Sequence, residues 1–167
     1  MTDLRSEFMR HFILFSVIVF TSLRLNAQCD SIEALNMQIY ELAKAKLGKK
    51  VDRGECWDLA KYVLDKTECE WDGMHMFGRE LSSDECVMPG DIIQFKNVKI
   101  KYKKGNTTYT EAMTHHTALV HEVKSENEYV LIHQNTGYTG RKVGISGLRL
   151  ETIIKGSIKI YRPIKKS

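Results

Sequence analysis

The chain has 167 residues, of which 43% are apolar and 28% charged, enough for a single domain with a buried core. This composition argues against disorder, collagen and coiled coil. The formal net charge of +4 is mild, and apart from short clusters at 101–104 and 165–166 the basic residues are dispersed. We therefore expect no nucleic-acid partner, since such proteins gather basic residues on one face with aromatic residues between them.

The first 27 residues have the layout of a secretory signal peptide. Arg5 and Arg10 precede an apolar run over 12–20, and Ala27 offers a small-residue cleavage site. That run is shorter than the roughly 20 residues that cross a bilayer. We predict cleavage after Ala27 and an exported bacterial chain, 28–167, in the periplasm or outside the cell, with no stable membrane span. An ordinary first helix is the alternative interpretation.

Two amphipathic helices are predicted at the start of the mature chain. Apolar residues recur at helical spacing over 32–47, with Ser31 as a plausible N-cap. A second helix is predicted to begin at Cys56 and to end near residue 66. Periodicity is lost over 67–88, which predicts a long structured loop.

The second half of the chain has the pattern of strands. A Pro-Gly-Asp turn at 89–91 precedes an apolar strand, and a turn at 104–106 predicts an exposed hairpin. Further strands are predicted over 92–95, 117–123, 129–133 and 157–161, the last after a short turn or helix at 150–154. Because helices come first and an antiparallel sheet follows, the predicted fold class is α+β.

Four cysteines lie in or just before the predicted domain, namely Cys29, Cys56, Cys69 and Cys86. Export favours disulfides, and four cysteines allow three pairings into two bridges. If Cys56 is free, one bridge and one odd thiol remain. We expect the bridge between Cys69 and Cys86, because both flank one loop. No C-x-x-C spacing supports a zinc knuckle or a thioredoxin-like motif.

Cys56 is the candidate nucleophile. It follows Gly54 closely and lies in the first turn of a predicted helix, where free N–H groups and the helix dipole stabilise a thiolate. Such a position can lower a thiol pKa to ~3.5–7.5. The Cys56 N–H can also help to bind an oxyanion. Taken alone, the same signal fits a buried or disulfide-bonded cysteine.

His116 is the candidate base and Asn135 the residue that orients it. His116 begins an apolar strand and shares a face with Ala118 and Val120, while His115 is placed in the preceding loop. Asn135 follows the next strand, and an asparagine beside a base histidine fixes its tautomer and orientation. A structural histidine and a simple turn are the alternative interpretations of these two features.

Four motifs in this order resemble the papain-like superfamily, and within it the CHAP and NlpC-type cell-wall hydrolases. Residues 54–57 (Gly-Glu-Cys-Trp) resemble the nucleophile motif, 88–95 the Pro-Gly-Asp strand entry, and 116–120 the histidine strand. Residues 133–135 (His-Gln-Asn) match a Glu-x-Asn strand end only in part. The resemblance covers about residues 46–163. It implies N-terminal helices packed on a small antiparallel sheet or half-barrel.

The resemblance also implies an activity. Cys56 attacks an amide carbonyl, His116 takes the thiol proton and returns it to the leaving amine, and Asn135 holds the imidazole. The implied substrate is peptidoglycan or a peptide. Two departures stand out, since His133 replaces an acid and Glu55 would oppose a thiolate if its carboxylate pointed inward. They motivate the alternative of a weak or inactive papain-fold binding or structural module.

No cofactor and no metal are expected. The histidines at 115, 116, 121 and 133 invite a metal-site interpretation. However, His116 and His121 lie on opposite faces of the predicted strand, and no carboxylate has ligand spacing. Trp57, Trp71 and Tyr138 are candidates to line a substrate groove, although aromatic residues more often anchor a core or loop.

Overall fold

The computed structural model describes residues 29 and 31–167. The predicted signal peptide over 1–27 lies outside the described residues and stays a prediction. Within the described part, two helices and six strands follow in chain order: α1 (Ala34–Lys44), α2 (Asp58–Lys66), β1 (Arg79–Glu80), β2 (Ile92–Lys104), β3 (Thr107–Ser125), β4 (Glu128–His133), β5 (Gly144–Arg149), a 3-10 turn (Leu150–Thr152) and β6 (Ile153–Arg162).

All six strands form one antiparallel sheet in the order β1-β6-β2-β3-β4-β5. The predicted α+β class is confirmed, with the sheet as the larger part. The short strand β1 and the strand β5 were not predicted, because neither has a sustained apolar alternation in the sequence. No helix in the described part is long and apolar enough to cross a membrane.

Both helices begin later than the sequence pattern predicted. α1 has Glu33 at its N-cap position, so the predicted N-cap Ser31 is wrong. α2 begins at Asp58, and Cys56 lies in the turn just before it. The Asp58 carboxylate accepts the backbone N–H of Glu55 at 2.8 Å, which closes this turn ahead of the helix. Cys56 therefore precedes the helix instead of opening it.

The sheet is apolar on both faces. One face packs against the helices, where Leu59 and Val63 of α2 meet Ile92 and Leu119 of the sheet. The other face holds a second cluster, and its members alternate with the first along each strand. That cluster contains Ile93, Phe95, Val98, Ala118, Val120, Tyr129, Leu131 and Leu148. Burying each large apolar side chain stabilises the fold by about 1.5–3 kcal/mol.

The predicted hairpin is confirmed and is long. β2 and β3 pair from Ile92↔Leu119 out to Lys104↔Thr107, around a turn at Gly105, which has φ +59°. His115 lies within β3 opposite Lys96, so its expected place in a loop is wrong. Continuous pairing with β2 keeps the residue in the strand even though its side chain is exposed.

The expected Cys69–Cys86 disulfide is wrong, and the bridge joins Cys29 to Cys86. Cys69 is fully buried under the end of α2, where its sulfur lies 3.1 Å from the Thr67 hydroxyl. Cys29 lies five residues before α1, so the bridge joins the segment ahead of that helix to the loop before β2. One bridge and two free thiols, Cys56 and Cys69, match the expected count.

A buried ion pair, here called the clamp, joins the start of β2 to the end of β6. Asp91 Oδ1 accepts Asn36 Nδ2 at 2.7 Å and Arg162 Nε at 3.1 Å. Its Oδ2 accepts the Met88 N–H at 2.9 Å and Arg162 Nη2 at 3.0 Å. Arg162 Nη2 also donates to the carbonyl of Cys86, so the clamp ties the start of β2 and the end of the neighbouring strand β6 to the disulfide loop.

Candidate active site

Cys56 lies beside the strand that carries His116. β3 pairs with β4 only from Leu119 onward, so the backbone N–H of Thr117 is left free on that side. This amide lies close enough to the Cys56 sulfur to lower the pKa of the thiol, as do the amides of Trp57 and of Cys56 itself. The sulfur therefore lies near the backbone of the residue that follows His116. Among the described residues, no hydrogen bond joins the sulfur to the His116 ring, whose side-chain hydrogen bond goes to His133.

Gly54 lets the cysteine loop lie close to the loop over 135–141. It has φ +87°, a backbone region that glycine adopts readily. A Cβ at this position would lie 2.8 Å from the Cβ of Arg141. A larger residue at 54 would push the cysteine loop away from the loop over 135–141.

Gln134 fastens the cysteine loop to the end of β4. Its side chain is fully buried and forms a two-way bridge with Val51, accepting the N–H and donating to the carbonyl at 3.1 Å each. Its Nε2 also donates to the carbonyl of Glu55 at 2.7 Å. Asp58 holds the same loop from the helix side, and its Oδ1 has no hydrogen-bond partner in the described part of the chain. Gln134 and Asp58 are thus positioning residues for Cys56.

A chain of hydrogen bonds extends behind His116. Its Nε2 lies 2.8 Å from His133 Nδ1, and His133 Nε2 lies 2.9 Å from the Ser146 hydroxyl. Both histidines are 6% exposed, whereas Ser146 is half-buried. His116 packs its ring near Phe95, which places it on the predicted face with Ala118 and Val120.

Asn135 does not reach His116. The strand ends at His133, and Asn135 has φ +62°, so its side chain turns toward the cysteine loop. Its Nδ2 donates to Glu55 Oε2 at 3.0 Å. His133 occupies the place behind His116 that the sequence pattern gave to Asn135. The expected contact between Asn135 and the imidazole is therefore replaced by one between two histidines.

Glu55 points away from the sulfur. Its carboxylate lies 3.3 Å from Arg141 Nη2 and also binds Asn135. Arg141 in turn donates to the carbonyl of Arg53 at 3.0 Å. The charge of Glu55 still raises the pKa of Cys56, as expected, but it is the smallest of the influences on that pKa.

Burial sets the protonation of the site. It raises the pKa of Cys56 above its ordinary value, against the three N–H groups that lower it. Burial lowers the pKa of His116 to about 4. It lowers the pKa of His133 to about 3, with a further contribution from the charge of His116. Near pH 7 the resting site therefore holds a thiol and two neutral imidazoles.

Two tautomer patterns satisfy these hydrogen bonds, according to whether His133 or Ser146 is the donor between them. If His133 donates from Nε2 to Ser146, it accepts at Nδ1, and His116 carries its proton on Nε2. In that pattern His116 Nδ1 keeps a lone pair, and among the described residues no hydrogen bond engages it. If Ser146 is the donor, His116 carries its proton on Nδ1 instead.

Aromatic side chains surround the cysteine loop. Trp57 and Trp71 lie 5.9 Å apart between ring centroids, and Trp71 stacks on the buried Phe77. His75 stacks on His115 at 4.4 Å. Tyr138, at the tip of the loop over 135–141, is 90% exposed. Of the three residues predicted to line a groove, Trp57 and Trp71 therefore lie together, and Tyr138 is not part of their aromatic pair. In the described part of the chain, no three histidine, cysteine or acidic side chains converge as metal ligands.

Sequence reasoning missed the roles of Gln134, Ser146 and Asp58. Gln134 lies between His133 and Asn135, which the sequence pattern selected. Its position directly after a predicted strand was the signal that could have identified it. Ser146 lies on β5, a strand that was not predicted, so nothing placed it near His133. Asp58 was visible as an acidic residue two positions after the cysteine.

Comparison with known proteins gives one family match and one structural match. The family model described as AIM3/BBC1 cysteine proteinase-fold domain matches residues 29–167. The crystal structure of Ly7917 is similar with a TM-score of 0.48 and 14% identity, covering 75% of this chain and 62% of that chain. The chain thus spans less than two thirds of that protein. Among curated proteins, none matches.

Proposed function

Because the chain belongs to the AIM3/BBC1 cysteine proteinase-fold domain family, we propose that it is a cysteine hydrolase with Cys56 as nucleophile and His116 as base. The observation that carries this proposal is the hydrogen-bond chain from His116 through His133 to Ser146, which begins on the strand that passes near the Cys56 sulfur. His133 takes the orienting role.

The reaction starts from a neutral pair. His116 Nδ1 accepts the thiol proton as Cys56 Sγ forms a bond to the amide carbon, so the negative charge passes to the carbonyl oxygen. The His116 imidazolium is stabilised by its Nε2–H bond to His133. It then donates the proton to the amine nitrogen as the C–N bond breaks. Water, deprotonated by His116, hydrolyses the thioester and restores the thiol.

We further propose that the amide lies in peptidoglycan. The support is the resemblance of four ordered motifs to CHAP and NlpC-type cell-wall hydrolases, together with the predicted export signal. Either the sugar–peptide bond or a bond within the stem peptide fits this chemistry.

The test compares two cysteine variants on isolated cell-wall sacculi. Cys56→Ala removes the nucleophile, so hydrolysis is expected to fall by at least about 10³-fold with an unchanged melting temperature. Cys69→Ala is the matched control, because Cys69 is the other free thiol. It should keep its activity once the folded fraction is accounted for. Release of peptides or amino sugars from the sacculi is measured, and activity that survives Cys56→Ala contradicts the proposal.

One observation favours a second candidate, the non-catalytic module. The pKa of Cys56 is raised and its base is backed by a neutral histidine instead of an acid. Under this alternative the wild-type protein sediments with sacculi but releases nothing from them. The Cys56→Ala variant then binds sacculi as well as the wild type does.

A further inference from the structure

We propose that the outer face of the β2–β3 hairpin is a docking surface for a linear phosphodiester polymer. The surface is defined by four lysines of β2, here called the basic ladder: Lys96, Lys99, Lys101 and Lys103. All four are exposed.

The strand geometry places the ladder on one face. Phe95 and Val98 are buried in the cluster on the opposite face, so the residues that follow each of them point outward. Two residues instead of one separate Phe95 from Val98. The left-handed backbone of Asn97, with φ +52°, accommodates the extra residue, so both buried side chains stay on one face. Beyond this point Ile100 and Tyr102 are half-buried and alternate with the exposed lysines.

No salt bridge engages the ladder in the described part of the chain. Across β3 its neighbours are His115, Ala112, Thr110 and Thr108. Other described lysines are unpaired as well, so the ladder is distinguished by the alignment of its four charges along one strand.

A further lysine adds to the repulsion. Lys155 of β6 is the partner of Lys99. Like charges opposite one another destabilise a sheet, so this arrangement works against folding. A feature that costs stability without a compensating contact points to a binding role. The nearby Glu111 does not relieve it, because that carboxylate is bonded to the Tyr102 hydroxyl at 2.9 Å on the other face.

The shape of the hairpin makes the ladder accessible. Pairing of β2 with β6 ends at Ile100↔Ile153, so the distal part of the hairpin is a two-stranded arm. A cavity of about 360 Å³ lies beside the arm. Its lining includes Lys101 and Lys103, and also Arg149 together with Glu151, which lies 3.9 Å from that arginine. At the inner end, Lys96 faces His115, two residues before Thr117, whose backbone amide lies near the Cys56 sulfur. A polymer on the ladder would therefore lead toward the cysteine loop.

The side chains on this face select the class of partner. Alternate residues of a strand are about 6.8 Å apart, so the ladder offers positive charges over roughly 24 Å along one line. A single extended polyanion fits such a line. Cross-strand threonine hydroxyls can donate to phosphate oxygens.

Two other partners fit the face less well. Tyr102 and Tyr109 stack on each other on the opposite face, so the strands bring no tyrosine, phenylalanine or tryptophan to this face on which nucleic-acid bases could stack. The His115 ring on this face is already stacked on His75. Nor do the strands bring a large exposed apolar side chain that would enter a bilayer.

The experiment measures binding of fluorescent poly(glycerol phosphate) to the whole protein carrying Cys56→Ala, by anisotropy at several salt concentrations. Because Cys56→Ala removes the proposed nucleophile, the binding measurement does not depend on hydrolysis. A failure of the binding proposal is therefore distinguishable from a failure of the proposed activity. The test variant carries Lys99→Gln, Lys101→Gln and Lys103→Gln. The control carries Lys124→Gln, Lys142→Gln and Lys166→Gln, which removes the same charge from exposed lysines elsewhere.

Four lysine–phosphate contacts predict a slope of log K against log salt near −3 for the starting protein and near −1 for the ladder variant. Between 50 and 200 mM salt the affinity should fall roughly 50-fold and roughly 3-fold, respectively. The control should follow the starting protein. Equal weakening by both variants, or tighter binding to single-stranded DNA or to anionic vesicles of equal charge, would overturn the proposal.

Discussion

The clamp and the candidate active site are both buried and polar, yet their hydrogen bonding differs. In the clamp, each Asp91 oxygen accepts two donors and Arg162 is 7% exposed. In the site, His116 makes one side-chain hydrogen bond among the described residues.

This difference separates stability from chemistry. A buried charge whose partners are complete holds elements together and has no free lone pair to offer. A buried imidazole with one engaged nitrogen keeps the other for proton transfer. Changes in the clamp should therefore affect folding, and changes behind His116 should affect reactivity.

The largest effect is expected from Arg162→Met in the clamp. The substitution keeps much of the volume but leaves Asp91 buried without its ion partner, which should lower the free energy of unfolding by about 3–5 kcal/mol. Urea denaturation measures it. Arg149→Met is the control, since that arginine is exposed and lies 3.9 Å from Glu151. A similar loss in both variants would contradict the assigned role of the clamp.

The reactivity of Cys56 with iodoacetamide should depend steeply on pH. Burial raises its pKa, so below that pKa the thiolate fraction grows about tenfold per pH unit, or about 100-fold from pH 7 to 9. The inflection should lie above the ordinary value for cysteine. Peptide mass spectrometry follows the labelling, with the buried Cys69 as an unreactive internal reference. Rapid labelling at pH 6 with an inflection below 7 would instead reveal a thiolate–imidazolium pair.

The smallest effect is expected from Ser146→Ala. Loss of one neutral hydrogen bond costs about 1 kcal/mol, equivalent to about fivefold in rate if it acts on the tautomer of His133. Nitrogen-15 NMR should show His133 protonated at Nε2 in the wild type and a mixture of tautomers in the variant. Ser146→Thr should restore both readouts, and the exposed Ser157→Ala is the control. An unchanged tautomer in Ser146→Ala would show that the serine does not position His133.

Much of the fold followed from local pattern. Apolar spacing located both helices, and the turn residues at 89–91 and 104–106 located the start of β2 and the tip of the hairpin. Alternation along β3 placed His116 on the face with Ala118 and Val120. The start of α2 was misplaced by two residues, because the side chain of Asp58, two residues beyond Cys56, closes the turn before that helix.

The sequence by itself determined the α+β order and brought attention to Cys56 and His116, because helix and strand periodicity act between near neighbours in the chain. Only the tertiary structure decided that Cys29 bridges Cys86, across 57 residues, and that His133 instead of Asn135 contacts His116. Both depend on which distant segments meet and on the left-handed backbone at Asn135. Neither can be inferred from the spacing of residues along the chain.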